Sequence, residues 1–276
     1  MRIDLHTHSS ASDGTLSPGE LVRAAAAAGL DVVGLTDHDT TAGWAEASAA
    51  AGPAGVLLVP GVEISCRLDG ISVHLLGYRV DPDHPGLRAE FEATRADRVT
   101  RARRMVERIA RDYPLRWDDV LAQVPPGATV GRPHLADALV ARGHVADRDE
   151  AFARILHSGS PYHVGHRAPE AADAVRLVRD AGGIAVMAHP LAARRGRVVG
   201  DDAIAGLAAA GLAALEADHP DHLPSERDHL RRLARELGLL VTGSSDFHGA
   251  GRAHRLGENL TPPDVWEALQ ARVGGR

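Results

Sequence analysis

Short apolar runs alternate with alanine-rich helical ones at both ends of the chain, and this alternation limits the fold more than any single residue does. Residues 2–5, 31–36, 56–60, 184–188, 212–216 and 239–243 read as strands, with 63–67 and 72–78 as a hairpin around the Asp69-Gly70 turn. Ser17-Pro18-Gly19-Glu20 carries the N-cap, first-turn proline and capping-box glutamate of a helix start, and Gly29 marks the stop. Residues 41–51, 169–181, 201–210, 223–237 and 263–273 read as further helices. Repeated strand–helix units predict an α/β fold with a parallel sheet and right-handed crossovers, and about seven strands could close into a barrel.

The pattern breaks between residues 81 and 167. From 85 to 111 Arg and Glu recur at helical spacing around Phe91, Val99, Val106 and Ile109, and 116–124, 132–142 and 147–156 read as shorter helices. The expected organisation is a discontinuous barrel domain, 1–80 with 168–276, interrupted by a mainly helical insertion, 81–167, that caps the substrate site.

Polar clusters fall where strands end. In His6-Thr7-His8 two imidazoles project to one side, because strand side chains alternate faces. Asp13, Asp37-His38-Asp39, Glu63, His74, His189 and Asp246-Phe247-His248 follow later strands or lie in the hairpin, and in a barrel these ends converge. A histidine and carboxylate set without thiolate suits Zn²⁺, Mn²⁺ or Fe²⁺, and it is too large for one tetrahedral ion. Two or three divalent cations are therefore expected. Such a cluster serves hydrolysis, since cations lower the pKa of a shared water and neutralise charge growing on a phosphoryl oxygen. Caps and satisfied core polars would explain any one of these histidines, but not the set.

Composition narrows the substrate. A net charge of −6 opposes binding to long duplex nucleic acid, yet a small phosphorylated molecule needs only a few local arginines. The single cysteine, Cys66, excludes a disulfide framework and a cysteine zinc site, and it reads as core. No run approaches the roughly 18 apolar residues of a membrane span, and Met1 leads straight into the first motif, so a cytoplasmic location is expected. Oligomeric state is not legible.

His6-Thr7-His8-Ser9, Ser12-Asp13-Gly14, Leu35-Thr36-Asp37-His38-Asp39, Gly61-Val62-Glu63-Ile64, His74-Leu75-Leu76-Gly77-Tyr78, Ala188-His189-Pro190 and Gly243-Ser244-Ser245-Asp246-Phe247-His248, in this order, resemble the PHP (polymerase and histidinol phosphatase) superfamily. More narrowly, the chain resembles stand-alone phosphoesterases acting on nucleoside 3′,5′-bisphosphates, AMP-like nucleotides and short RNA 5′ ends. The resemblance implies a distorted (β/α)7 PHP barrel with a trinuclear metal centre. It implies His6, His8, Glu63 and Asp246 on one metal, Glu63, His74 and His189 on a second, and Asp13, His38 and His248 on a third. Asp13, His38, Glu63, Asp246 and His248 are the residues expected to carry the reaction. Asp37 is expected to orient a ligand or to serve a turn.

For substrate binding, Arg132 and His134 in Gly131-Arg132-Pro133-His134 resemble pocket residues of the bisphosphate-phosphatase branch, and an arginine fork suits phosphate. Arg194, Arg195 and Arg197 follow His189-Pro190, while His222 and, less strongly, His219 are expected at the pocket rim. Arg95, Arg98, Arg101, Arg103, Arg104 and Arg108 read as a solvated helix face, or more sharply as a strip steering RNA. His157, His163 and His166 are expected on the surface, and Trp44 in packing or stacked on a base. The expected activity is metal-dependent release of a terminal phosphate from a small pAp- or AMP-like nucleotide. The alternatives are 5′→3′ trimming of short RNA, histidinol-phosphate hydrolysis and a non-catalytic metal-binding module.

Overall fold

The computed structural model describes residues 1–125, 128, 130–165 and 167–272. Seven strands form one sheet in chain order: β1 (Ile3–Thr7), β2 (Val32–Leu35), β3 (Leu57–Leu68), β4 (Ile71–Tyr78), β5 (Ile184–Ala188), β6 (Ala214–Asp218) and β7 (Leu240–Gly243). Neighbours run parallel except around β4, which is antiparallel to both β3 and β5. β1 and β7 meet through a Thr7–Phe247 bridge, where the His8 N–H donates to the Phe247 carbonyl at 2.8 Å. The sheet is thus a nearly closed seven-stranded barrel, distorted by its one reversed strand.

Helices α1 (Pro18–Ala27), α2 (Trp44–Ala54), α7 (Ala171–Asp180), α8 (Asp201–Ala210), α9 (Pro224–Leu237) and α10 (Pro263–Arg272) surround the barrel. Between β4 and β5 come α3 (Pro85–Ile109), α4 (Trp117–Leu121), α5 (Arg132–Ala141) and α6 (Arg148–Ala151), the last running into a π-helical turn, Phe152–Leu156. α1 starts with a reciprocal capping box: Ser17 Oγ accepts from Glu20 N at 3.3 Å, and Ser17 N donates to Glu20 Oε2 at 2.8 Å. α7 buries Ala171, Ala174, Val175 and Val178, the i, i+3, i+4, i+7 stripe that seats a helix on a sheet.

Apolar side chains of α7, α8 and α9 pack on β3 to β6, while Trp266 and Leu269 of α10 close the β1 side with Ile3 and Leu5. The segment between β4 and β5 has its own core, in which Met105, Ile109, Leu135, Leu139 and Ile155 are fully or almost fully buried. At one point the barrel requires glycine: a Cβ on Gly34 would stand 2.2 Å from the Leu5 carbonyl oxygen.

Several expected boundaries move. The runs 56–60 and 63–67 are one strand, β3, because Pro60 pairs with Leu35 in the parallel ladder and Gly61 continues opposite Tyr78 in the antiparallel one. α2 begins at Trp44, not at residue 41, and runs through Pro53 to a left-handed cap at Gly55. The end expected for α10 at Val273, and the surface placement expected for His166, lie outside the described residues. Among the described residues no helix is long and apolar enough to cross a membrane.

Candidate metal centre

Most of the predicted ligands meet at the C-terminal ends of the parallel strands. His6 ends in the β1 ladder and His8 follows it; their Nε2 atoms are 3.0 Å apart. His38 follows β2 and bridges to Glu63 on β3, whose neighbour β4 presents His74 opposite Ser65. His189 follows β5, and Asp246 and His248 follow β7. Three sets have ligand atoms within 4.8 Å of one another: His8, Asp13, His38 and His248; His6, His8, Glu63 and Asp246; and His38, Glu63 and His74. His189 lies outside these sets, but its Nε2 is 3.1 Å from Glu63 Oε1, as His74 Nδ1 is at 2.9 Å. The resemblance implies unshared histidines; here His8 and His38 each belong to two sets.

Backbone strain gathers at the same place. Asp39, His189 and Asp246 hold φ of 51°, 29° and 50°, left-handed values that cost a non-glycine residue on the order of 1 kcal/mol or more. Asp37 anchors the Ser9–Ser12 turn, accepting from Ser9 N at 2.8 Å and from the hydroxyls of Ser9 and Ser12 at 2.6 Å. It therefore shapes the loop that carries His8 and Asp13.

The electrostatics suit cations. Burial alone would raise the Glu63 carboxyl, but His38, His74 and His6 hold it well below the usual range. Burial likewise opposes ionisation of Asp13 and Asp246, which His248 and His38, and Arg195 and Arg252, respectively override. Burial lowers His189 to about 3 and His248 to about 4, leaving neutral imidazoles, the form that ligates metal. His8 Nδ1, His38 Nδ1, His248 Nε2 and Asp246 Oδ1 are buried without a properly aligned hydrogen-bond partner. Such orphaned atoms are costly unless a cation satisfies them, and the donor set is of the right chemistry to do so. The residues fit divalent metal ions.

Sequence reasoning missed the supports of this cluster. Glu216, buried inside β6, accepts from His189 N at 2.9 Å, lies 3.1 Å from His6 Nδ1 and takes the Ser244 hydroxyl. Its signal was present: a carboxylate flanked by Leu215 and Ala217 at the centre of the short strand Ala214–Asp218. Arg252 was also missed; it donates to Asp246 Oδ2 at 2.7 Å. Asp4 ties β1 to the chain after β7, accepting from Ser245 N at 3.0 Å and Gly257 N at 2.8 Å.

The predicted substrate residues divide. Arg195 reaches the centre, donating to Asp246 Oδ2 at 2.5 Å and Asp221 at 2.7 Å, whereas Arg194 and Arg197 are exposed beside it. His222 is not on a rim: it is buried, its Nδ1 donating to Ala217 O and its Nε2 accepting from Leu191 N, so both ring nitrogens serve the backbone. His219, expected at the margin, is fully buried, with Nε2 3.4 Å from Asp246 Oδ2. His134 is buried with Nδ1 accepting from Gly131 N, and Arg132 stacks over Phe152 and reaches the Leu156 carbonyl. Arg103, Arg104 and Arg108 are exposed, but Arg98 is not a solvated charge: it donates to Asp39 Oδ2 at 2.7 Å and to Ser65 Oγ. Arg95 and Arg101 are bonded to the carbonyls of Asp39 and Val164. His157 is exposed and His163 half-buried, Cys66 lies in the core, and Trp44 packs there with its N–H on the Gly61 carbonyl.

Fold and site together define a metal-dependent phosphoesterase. The family model of the PHP domain matches residues 4–116. A 3′,5′-nucleoside bisphosphate phosphatase of Chromobacterium violaceum is 36% identical over 98% of this chain and 97% of its own length. A 5′-3′ exoribonuclease of Haemophilus influenzae is also 36% identical, over 96% of this chain and 98% of its own. A solved structure from Bifidobacterium adolescentis, described as a candidate metal-dependent phosphoesterase, superposes with a TM-score of 0.95 at 42% identity, covering 98% of this chain and 96% of that one. The chain belongs to the PHP family.

Proposed function

We propose that the protein releases a terminal phosphate of a small nucleotide of the pAp or AMP kind, using two or three divalent ions held by His6, His8, Asp13, His38, Glu63, His74, His189, Asp246 and His248. The observation that carries this reading is the sharing of Glu63, His8 and His38 among three adjacent ligand sets, which suits neighbouring ions acting on one phosphoryl group. Bound there, such ions supply the charge that acidifies water and neutralises the phosphoryl oxygens.

The chain's own groups prepare the site. Glu216 turns His6 so that Nε2 faces the cluster while Nδ1 is held from behind. Arg195 and Arg252 bind one oxygen of Asp246 and leave the other toward the histidines. Relatives named as a bisphosphate phosphatase and as an exoribonuclease support a nucleotide phosphate ester as the substrate, the bond that both names imply. Short RNA is therefore the second reading.

The test is a panel of pAp, AMP, 5′-phosphorylated short RNA and histidinol phosphate with Mn²⁺, read as phosphate or nucleotide release. Turnover of the first three, with histidinol phosphate inert, is the expected result. Turnover of histidinol phosphate alone would sink the nucleotide reading.

A further inference from the structure

The end of β6 carries none of the predicted ligands, yet Asp218-His219-Pro220-Asp221-His222 follows it on the way to α9, and both of its histidines are buried. No step of the proposed reaction uses this segment. Its contacts run instead to the loops on either side.

Toward β5, His222 Nε2 accepts from Leu191 N at 3.1 Å, two residues past His189. The rings of His189 and His219 meet edge to face, with centroids 5.2 Å apart. Toward β7, His219 Nδ1 accepts from Asp221 N at 3.0 Å, which leaves the ring proton on Nε2, 3.4 Å from Asp246 Oδ2. Arg227 on α9 fastens the segment from behind, donating to the carbonyls of His219 and His222 and to Asn259 Oδ1.

Within the segment the side chain of Asp221 acts at a distance. Its Oδ2 accepts from Arg195 Nε at 2.7 Å, and Arg195 Nη2 donates to Asp246 Oδ2 at 2.5 Å. Its Oδ1 lies 3.7 Å from His254 Nε2, and His254 Nδ1 donates to the Asp246 carbonyl at 3.3 Å. Two bridges thus run from Asp221 to Asp246, one to the carboxylate and one to the backbone. Among the described residues Asp221 has no hydrogen bond or ion pair with a predicted ligand itself. His254, and then Arg195, hold its carboxyl well below the usual range, so it stays ionised between them.

Asp246 needs such support. Its backbone is held at φ 50°, a conformation that persists only where the surroundings over-determine it. A long arginine side chain loses much freedom when fixed in one rotamer, and a second carboxylate at its Nε fixes the fork in advance.

We propose that Asp221 is a positioning residue that holds Asp246, through Arg195 and His254, with Oδ2 turned away and Oδ1 facing His6 and His8 at 3.3 Å. It thereby sets the affinity of the one ion that Asp246 shares with His6, His8 and Glu63. This inference rests on the ligands assigned in the function proposed above. Neither bridge ends on a member of the set His8, Asp13, His38 and His248, so an ion held there is spared.

The test titrates Mn²⁺ into metal-free wild type, Asp221→Ala, Asp221→Asn, Arg195→Ala and the double variant Asp221→Ala/Arg195→Ala, with free Mn²⁺ read from its EPR signal. In Asp221→Ala one class of site weakens about tenfold or more while another keeps wild-type affinity. Asp221→Asn, which keeps an acceptor but not the charge, falls between. The double variant loses less than the product of the two single losses, because both residues lie on one bridge.

Affinities within about twofold of wild type in both Asp221 variants overturn the proposal. Equal weakening of every class, the mark of a general loss of structure, overturns it too, as does strict additivity in the double variant. Should Asp221→Ala fail to fold, Asp221→Asn decides alone: selective weakening supports the role and wild-type affinity at every class overturns it. Hydrolysis is read separately in the substrate panel. Wild type that turns over none of the panel refutes the proposed function, and the Mn²⁺ isotherms still support or overturn the role of Asp221.

Discussion

Glu216 and His6 lie 210 residues apart, yet Oε1 of the one is 3.1 Å from Nδ1 of the other, on the side of the ring away from the ligand cluster. The contact fixes which imidazole nitrogen is free to face a metal. Glu216→Gln keeps the shape but removes the charge, and it should reduce metal affinity or kcat/KM by about tenfold to a hundredfold. Metal content by atomic emission, alongside phosphate release, checks this; wild-type values in both would show that the carboxylate has no such role.

Asp246 Oδ2 accepts from both Arg195 and Arg252, at 2.5 and 2.7 Å. Both guanidinium groups share the work of holding that oxygen. Each single alanine variant should therefore lose about tenfold in kcat/KM, and the double variant more than the product of the two losses. A double-mutant cycle on turnover measures the coupling, and strict additivity would contradict a shared role.

Metal binding to so many buried groups must also stabilise the fold. Mn²⁺ at about a hundred times its dissociation constant should add about 2.7 kcal/mol, seen as a rise in Tm that a chelator reverses. Glu63→Gln, at the junction of two ligand sets, should abolish most of the rise as well as turnover. Equal Tm gains in wild type and variant would place the ions elsewhere.

Gly34→Ala tests the barrel itself. The added Cβ would meet the backbone of Leu5, which cannot rotate away as a side chain could. A loss of about 3 kcal/mol is expected from overpacking at such a point, read from urea unfolding. A loss under about 0.5 kcal/mol would mean that β1 and β2 can separate without cost.

The ligands were legible because each sits beside its own strand: His6 in β1, His38 after β2 and His189 after β5 can be placed by local pattern alone. The supports were not, because their meaning lies in pairings between distant segments. Glu216 stands out as a carboxylate between Leu215 and Ala217, but nothing in the sequence gives it a partner until His6 is brought against it. Arg98 looks like solvent-facing charge until α3 is laid across Asp39 and Ser65. The continuity of β3 was hidden for another reason. Pro60-Gly61 reads locally as a break, and only two different strand partners, β2 before it and β4 after it, carry the chain through.

The reversal of β4 delivers the chain to the end of the barrel away from the predicted metal ligands, and α3 then runs back along the wall to Arg95 and Arg98, which reach Asp39. Its 25 residues span roughly 37 Å, with the first half alongside the barrel and the second half among the helices beyond. The helix thus acts as a ruler: its length sets how far the second core stands along the barrel wall. Adding or deleting one turn would shift that second core by about 5.4 Å and leave the barrel walls unaltered, so the two cores can be spaced independently of the metal ligands.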